Sequence, residues 1–127
     1  MDNAHGIILL KIRGGGSAMD KMYVTITGMK YYYGKKPFKV GKIVALVKDR
    51  DNEFDAEAIR VQMPHIETVG YVANSTNTVF DGTMSAGRLY DKIDEGVFAI
   101  VEFITHSSVI ARVVNDEELT EYKNGGF

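Results

Sequence analysis

Beyond residue 21, apolar and polar positions alternate along most of the chain with the period of β-strands. Tyr23-Val24-Thr25-Ile26-Thr27 is rich in β-branched and aromatic residues and stops at Gly28. Pro37 and Gly41 mark a turn, after which an apolar run from about Val40 to Val47 predicts a second strand. Over residues 58–63, Ile59, Val61 and Met63 face one way and Ala58, Arg60 and Gln62 the other, and Pro64 closes the strand. His65-Ile66-Glu67 is short enough to join it to Thr68-Val69-Gly70-Tyr71-Val72 as a hairpin. Helical signals are confined to residues 75–92. Asn77 or Ser75 can cap a short turn through Phe80, while residues 85–93 place Leu89, Lys92 and Ile93 on one side, with Gly96 as the stop. Residues 97–104 and 109–114 read as a last strand pair around His106-Ser107-Ser108.

About six strands, one or two short helices and no long helical crossover predict a mainly β (α+β) domain: a small, partly closed β-barrel or a strongly twisted sheet. Three segments follow. Residues 1–21 carry the linker string Gly14-Gly15-Gly16-Ser17 and are expected to be a flexible leader, an expression-derived extension, or a strand from Ile7 to Ile12 that pairs with a sheet edge. Residues 22–115 form the barrel domain. Residues 116–127 are acidic, end in Asn124-Gly125-Gly126 and are expected to fray.

Composition changes this picture little. The chain has 127 residues, 45% hydrophobic and 25% charged, the balance of one ordinary globular domain. It has no cysteine, which removes disulfide scaffolds and thiolate metal sites and favours a reducing compartment. Ile7-Ile8-Leu9-Leu10 is too short an apolar run to span a bilayer, and the expected location is cytoplasmic. Charge is more telling in its distribution than in its total of -2. Seven lysines and no acid lie between Lys21 and Lys48, and acids then gather at residues 49–57 and 116–121. Such a basic stretch is either a solvated face or a local phosphate contact, since backbone charge is felt only over about 10 Å at 0.1 M salt.

Catalytic patterns are missing. Asp49, Asp51, Glu53, Asp55 and Glu57 start like a calcium loop, but the sixth and twelfth positions, which need glycine and glutamate, hold Phe54 and Arg60. His5, His65 and His106 stand apart, with no metal-ligand spacing. No nucleophile elbow and no phosphate-cradling glycine loop occurs. The sequence therefore predicts no enzyme and no cofactor. A nuclease built from the 49–57 acids remains an alternative, with divalent-metal-dependent cleavage as its signature.

The aromatic cluster is the stronger signal. Tyr31, Tyr32 and Tyr33 are consecutive beside Lys30, Lys35 and Lys36, and Phe54 sits in the polar loop. In an extended segment Tyr31 and Tyr33 share a face and Tyr32 takes the other. One such face can be core. The rings can equally stack single-stranded bases, each worth about 1–3 kcal/mol, with lysines neutralising the backbone.

Four strings carry a resemblance: Gly28-Met29-Lys30-Tyr31-Tyr32, Val44-Ala45-Leu46-Val47-Lys48-Asp49, the run from Asp51-Asn52-Glu53-Phe54-Asp55 through Ala58-Ile59-Arg60-Val61, and Val69-Gly70-Tyr71-Val72. Together they resemble the HIRAN domain over roughly Tyr23 to Val114. The resemblance implies an OB-like barrel that binds single-stranded DNA and, in members attached to fork-remodelling translocases, captures a free 3′-hydroxyl end. Carried over, it implies that Tyr31 and Phe54 stack on terminal bases and that Asp55 accepts a hydrogen bond from the hydroxyl. It further implies that Lys30 and Asn52 hold phosphate and that Tyr32 and Tyr71 line the pocket. Lys30 stands where translocase-linked members carry arginine, Phe54 where they carry tyrosine, Tyr71 where histidine can occur and Asn74 where a basic residue can. DNA repair, with a helicase, translocase or nuclease supplied in trans, is the implied setting. A protein-interaction domain that kept the fold without DNA binding is the rival reading.

Overall fold

A computed structural model describes residues 21–125. The expectations for the leader lie outside the described residues, apart from Lys21. Six strands form one antiparallel sheet: β1 (Met22–Thr27), β2 (Ile43–Lys48), β3 (Ile59–Met63), β4 (Glu67–Val72), β5 (Gly96–Ile104) and β6 (Val109–Val114). Their order is β1-β4-β3-β2-β5-β6, and a β1–β6 ladder from Met22 opposite Val113 to Ile26 opposite Val109 closes the sheet into a barrel. Closure leaves no free sheet edge among the described strands. The seam between β1 and β4 is short, with Ile26 opposite Val72 and Thr27 opposite Tyr71.

The period-two pattern sets which side chains fill the barrel. Ile59, Val61 and Met63 of β3 are buried, while Arg60 and Gln62 are partly exposed. Val44 and Leu46 of β2, Val24 and Ile26 of β1, and Val97, Ala99 and Val101 of β5 meet them in a single core. Helix α1 (Ala86–Tyr90) plugs one end with Ala86 and Leu89, and Ile93 follows into the same core.

Several boundaries differ from the pattern-based ones, each for a local reason. The second strand starts at Ile43, not near Val40. Gly41 takes φ 93°, a left-handed turn that places Val40 in solvent. The tyrosines are not extended. Gly28 at φ 75° turns the chain into one turn of 3₁₀ helix, Met29–Tyr31, and Met29 alone is buried there. The helix after Ser85 is shorter than 85–93. Ser85 caps it by accepting from the Arg88 backbone N–H, and Gly96 opens β5 rather than ending the helix. Lys92 is exposed, so only Leu89 and Ile93 share the buried side. Neither Ser75 nor Asn77 caps a helix; the Ser75 hydroxyl accepts from the Asn77 N–H in a turn. The acidic tail is helical from residue 116. Asp116–Gly125 forms helix α2, whose Leu119 is buried against Ile100 and Val114. Acids in its first turn suit the positive end of the helix dipole.

Candidate nucleic-acid interface

The loop between β2 and β3 is built on Asp49. Its backbone N–H bonds the Ala58 carbonyl at 2.8 Å, closing the loop at its base. One carboxylate oxygen accepts from the Tyr71 hydroxyl at 2.6 Å and the Asn52 amide at 3.2 Å, and the other accepts from Arg60 at 3.2 Å. Arg60 and Tyr71 are opposite one another across β3 and β4, so sheet register brings both to the end of β2. The Tyr71 bond, with help from Asn52 and Arg60, holds the Asp49 carboxyl below its ordinary range against the opposing effect of burial. Tyr71 moves the other way. Burial first, then its bond to Asp49, pushes the phenol well above its ordinary range.

Asn52 shapes the loop from within. Its side-chain oxygen accepts from the backbone N–H groups of Phe54 and Asp55, both at 2.9 Å. With Nδ2 donating to Asp49, its amide faces the loop's own groups. Asp55 is similarly fixed. One oxygen accepts from the Glu57 N–H at 2.9 Å and the other from Asn74 Nδ2 at 3.0 Å. Asn74 in turn accepts from the Gly87 N–H at 2.8 Å, which ties the carboxylate to the start of α1. A carboxylate offers about four acceptor positions, so these two bonds leave room for further donors.

The aromatic groups divide by exposure. Phe54 is 94% exposed and Tyr31 75% exposed, although the backbone of each is held by hydrogen bonds. Burying a phenylalanine is worth about 1.5–3 kcal/mol, a gain that Phe54 leaves unrealised in the free chain. Tyr32 is less exposed; its ring lies 6.3 Å from that of Tyr71, centre to centre, at 36°. The contacts Tyr32–Tyr71–Asp49–Asn52–Phe54 thus join the tyrosine turn to the loop. Gly70 permits this approach. A Cβ there would meet the Thr27 carbonyl at 3.0 Å and Met29 Cγ at 3.3 Å, so the 3₁₀ turn packs directly on β4.

The lysines take separate roles. Lys30 Nζ lies 5.2 Å from the Tyr31 ring centre, an exposed cation beside an exposed ring. Lys35 instead donates to the carbonyls of Thr105 and His106, at 2.8 and 2.7 Å, and fastens the β5–β6 turn. Lys48 is buried with its amine 4.1 Å from the Tyr90 ring centre. A separate apolar groove runs between Tyr23, Phe80, Phe103 and Ile110 and shares no residue with the loop. Among the described residues no group of three or more His, Asp or Glu is placed to hold a metal ion, and no helix is long and apolar enough to cross a membrane.

The structure therefore gathers Tyr32, Asn52, Phe54, Asp55 and Tyr71 into one bonded constellation, with Lys30 and Tyr31 on the turn beside it. Asp49, Arg60 and Asn74 organise it and were not foreseen as site residues. The spacing Asp-x-x-Asn at 49–52 and the outward phase of Arg60 were the available signals.

Six antiparallel strands closed into a small barrel, with an exposed aromatic on the loop between β2 and β3, define the fold class. The chain belongs to the HIRAN domain family, whose model matches residues 19–117. Its fold is similar to that in the crystal structure of the HIRAN domain of human HLTF, with a TM-score of 0.50 at 20% identity, over 84% of this chain and 89% of that one. No curated protein matches the sequence.

Proposed function

We propose that this chain is a non-enzymatic module that binds single-stranded DNA and holds its free 3′-hydroxyl end at Asp55. Family membership supports the DNA, and one observation carries the end: a carboxylate fixed by Glu57 and Asn74 adjoins an almost fully exposed phenylalanine. In this reading Phe54 and Tyr31 stack on the terminal bases, which tolerates any sequence because every base has a π-face. Lys30 neutralises phosphate beside Tyr31. Tyr32 and Tyr71 form the wall between them. Asn52 sets the loop's shape, a role better suited to its bonds than the phosphate contact the resemblance implies. Asp55 accepts the terminal hydroxyl and repels a terminal phosphate. Two unit charges about 4 Å apart repel by about 1–4 kcal/mol between bulk water and a protein surface. A helicase, translocase or nuclease acting in trans would use the captured end.

The test is substitution of the three contact groups, with circular dichroism as the folding control. Phe54→Ala and Tyr31→Ala are each expected to weaken binding of a single-stranded oligonucleotide by about 5–150-fold, the equivalent of about 1–3 kcal/mol per stacked base. Asp55→Ala is expected to remove discrimination between hydroxyl and phosphate ends. Wild-type affinity in all three folded variants would reject the site and favour the protein-interaction reading. Cleavage of the oligonucleotide with magnesium or manganese, lost in the acid-loop variants, would reject the non-enzymatic reading.

A further inference from the structure

A second basic surface lies at the other end of strands β2 and β3. β2 runs from Ile43 to the Asp49 loop, and β3 runs from that loop back to Met63. At their far end, Lys36, Lys39, Lys42 and His65 line a groove together with Met63 and Pro64. None of the described residues lining it is acidic. All three lysines and His65 are exposed. Unlike Lys35 and Lys48, none of the three lysines has a side-chain partner among the described residues.

Main-chain bonds and a buried side chain hold the turn that presents these cations. Gly41 N–H donates to the Val101 carbonyl at 2.8 Å, Val101 N–H donates to the Lys42 carbonyl at 2.9 Å, and Phe38 is buried beneath. Helix α2 clamps it from outside, with the Tyr122 hydroxyl donating to the Gly41 carbonyl at 2.7 Å. The same helix places Lys123 on the neighbouring surface around Ile43, Met63 and Pro64. Exposed Glu67, opposite Met63 in the ladder, and Glu121 of α2 lie nearby, but the groove's described lining carries three lysines and no acid, which favours a polyanion because each phosphate contact releases condensed counterions.

Resting on the end-binding reading above, we infer that this groove is a second phosphate site, which holds the single strand upstream of its captured end. A six-residue strand spans about 20 Å. The ligand backbone leaves the Asp55 loop, passes the tyrosine turn and reaches Lys39 and Lys42. The two sites then bind one continuous strand, and affinity depends on its length.

The experiment compares the wild type with the Lys39→Ala/Lys42→Ala variant on thymidine strands with free 3′-hydroxyls. At about 3.4 Å per stacked nucleotide, a strand of about 3 nucleotides stays at the end site while one of about 15 reaches the groove. Amide NMR shifts report the short strand and fluorescence anisotropy the long one, across a salt series. The expected result is unchanged short-strand affinity, roughly tenfold weaker long-strand binding, and a salt slope shallower by about 1.4, from about 0.7 per phosphate contact. Equal long-strand affinity and slope in variant and wild type would overturn the second site while leaving end capture intact. Equal losses for both lengths would also overturn it. Long strands that bind through Lys39 and Lys42 while short ones do not bind at all would support the groove and reject end capture.

Discussion

Asp49 is the residue on which the order of the loop depends. It accepts from Tyr71, Asn52 and Arg60, three groups from three separate parts of the chain. Tyr71→Phe deletes one donor and leaves a mostly buried carboxylate short of a bond, at a cost of about 1–3 kcal/mol. Chemical denaturation is expected to show that loss, and Asp49→Ala a larger one, since it strands Tyr71 and Arg60 together. Titration gives an independent check. The carboxyl is held below its ordinary range in the fold, so its stabilisation is complete above the unfolded value and is lost as pH falls through the folded one. Tyr71 is raised, so its contribution is complete below the ordinary phenol range and is lost as pH climbs above it. Tyr71→Phe is therefore expected to flatten both the acid and the alkaline limbs of the stability curve. Unchanged limbs would show that the pair does not carry the pH dependence.

At the scale of elements, the loop between β2 and β3, the 3₁₀ turn and helix α2 do the positioning. The loop was legible because acids and asparagine at alternating places have no packing reason, and because its string resembled a known domain. The 3₁₀ turn was not. Period-two reasoning extends any aromatic run, whereas Gly28 in a left-handed conformation and the absent Cβ at Gly70 fold Met29 inward instead. The second cause lies in contacts between segments some 40 residues apart in sequence, out of reach of a local pattern. Gly70→Ala tests this. Its Cβ would sit 3.0 Å from the fixed Thr27 carbonyl, so overpacking is expected to cost about 1–3 kcal/mol and to weaken DNA binding with it, by displacing Tyr31 and Tyr32. Stability lost with DNA affinity unchanged would separate the turn from the site. Helix α2 was also missed. Its polar, glycine-ended composition reads as a fraying tail, and it is Leu119 against Ile100 and Val114, with Tyr122 bonded to Gly41, that holds it.

Across the whole molecule, strand count and class were readable from β-branched runs and turn residues, and the barrel is the fold those elements take. Its complete closure was not readable, because the β1–β6 ladder joins the first strand to the last. The net charge of -2 hides a basic end separated from an acidic loop, and only the fold shows which lysines are spent on carbonyls and rings. Asp55 beside Phe54 on a rigid loop is the center of the functional reading. Fluorescence anisotropy with one single-stranded sequence bearing a 3′-hydroxyl or a 3′-phosphate, and with a hairpin lacking a free 3′ end, addresses it most directly. The hydroxyl strand is expected to bind at least about tenfold more tightly than the phosphate strand, a difference of about 1.4 kcal/mol, and the hairpin weakly. Equal affinity for the two ends, or tighter binding of the phosphate, would contradict end capture by Asp55.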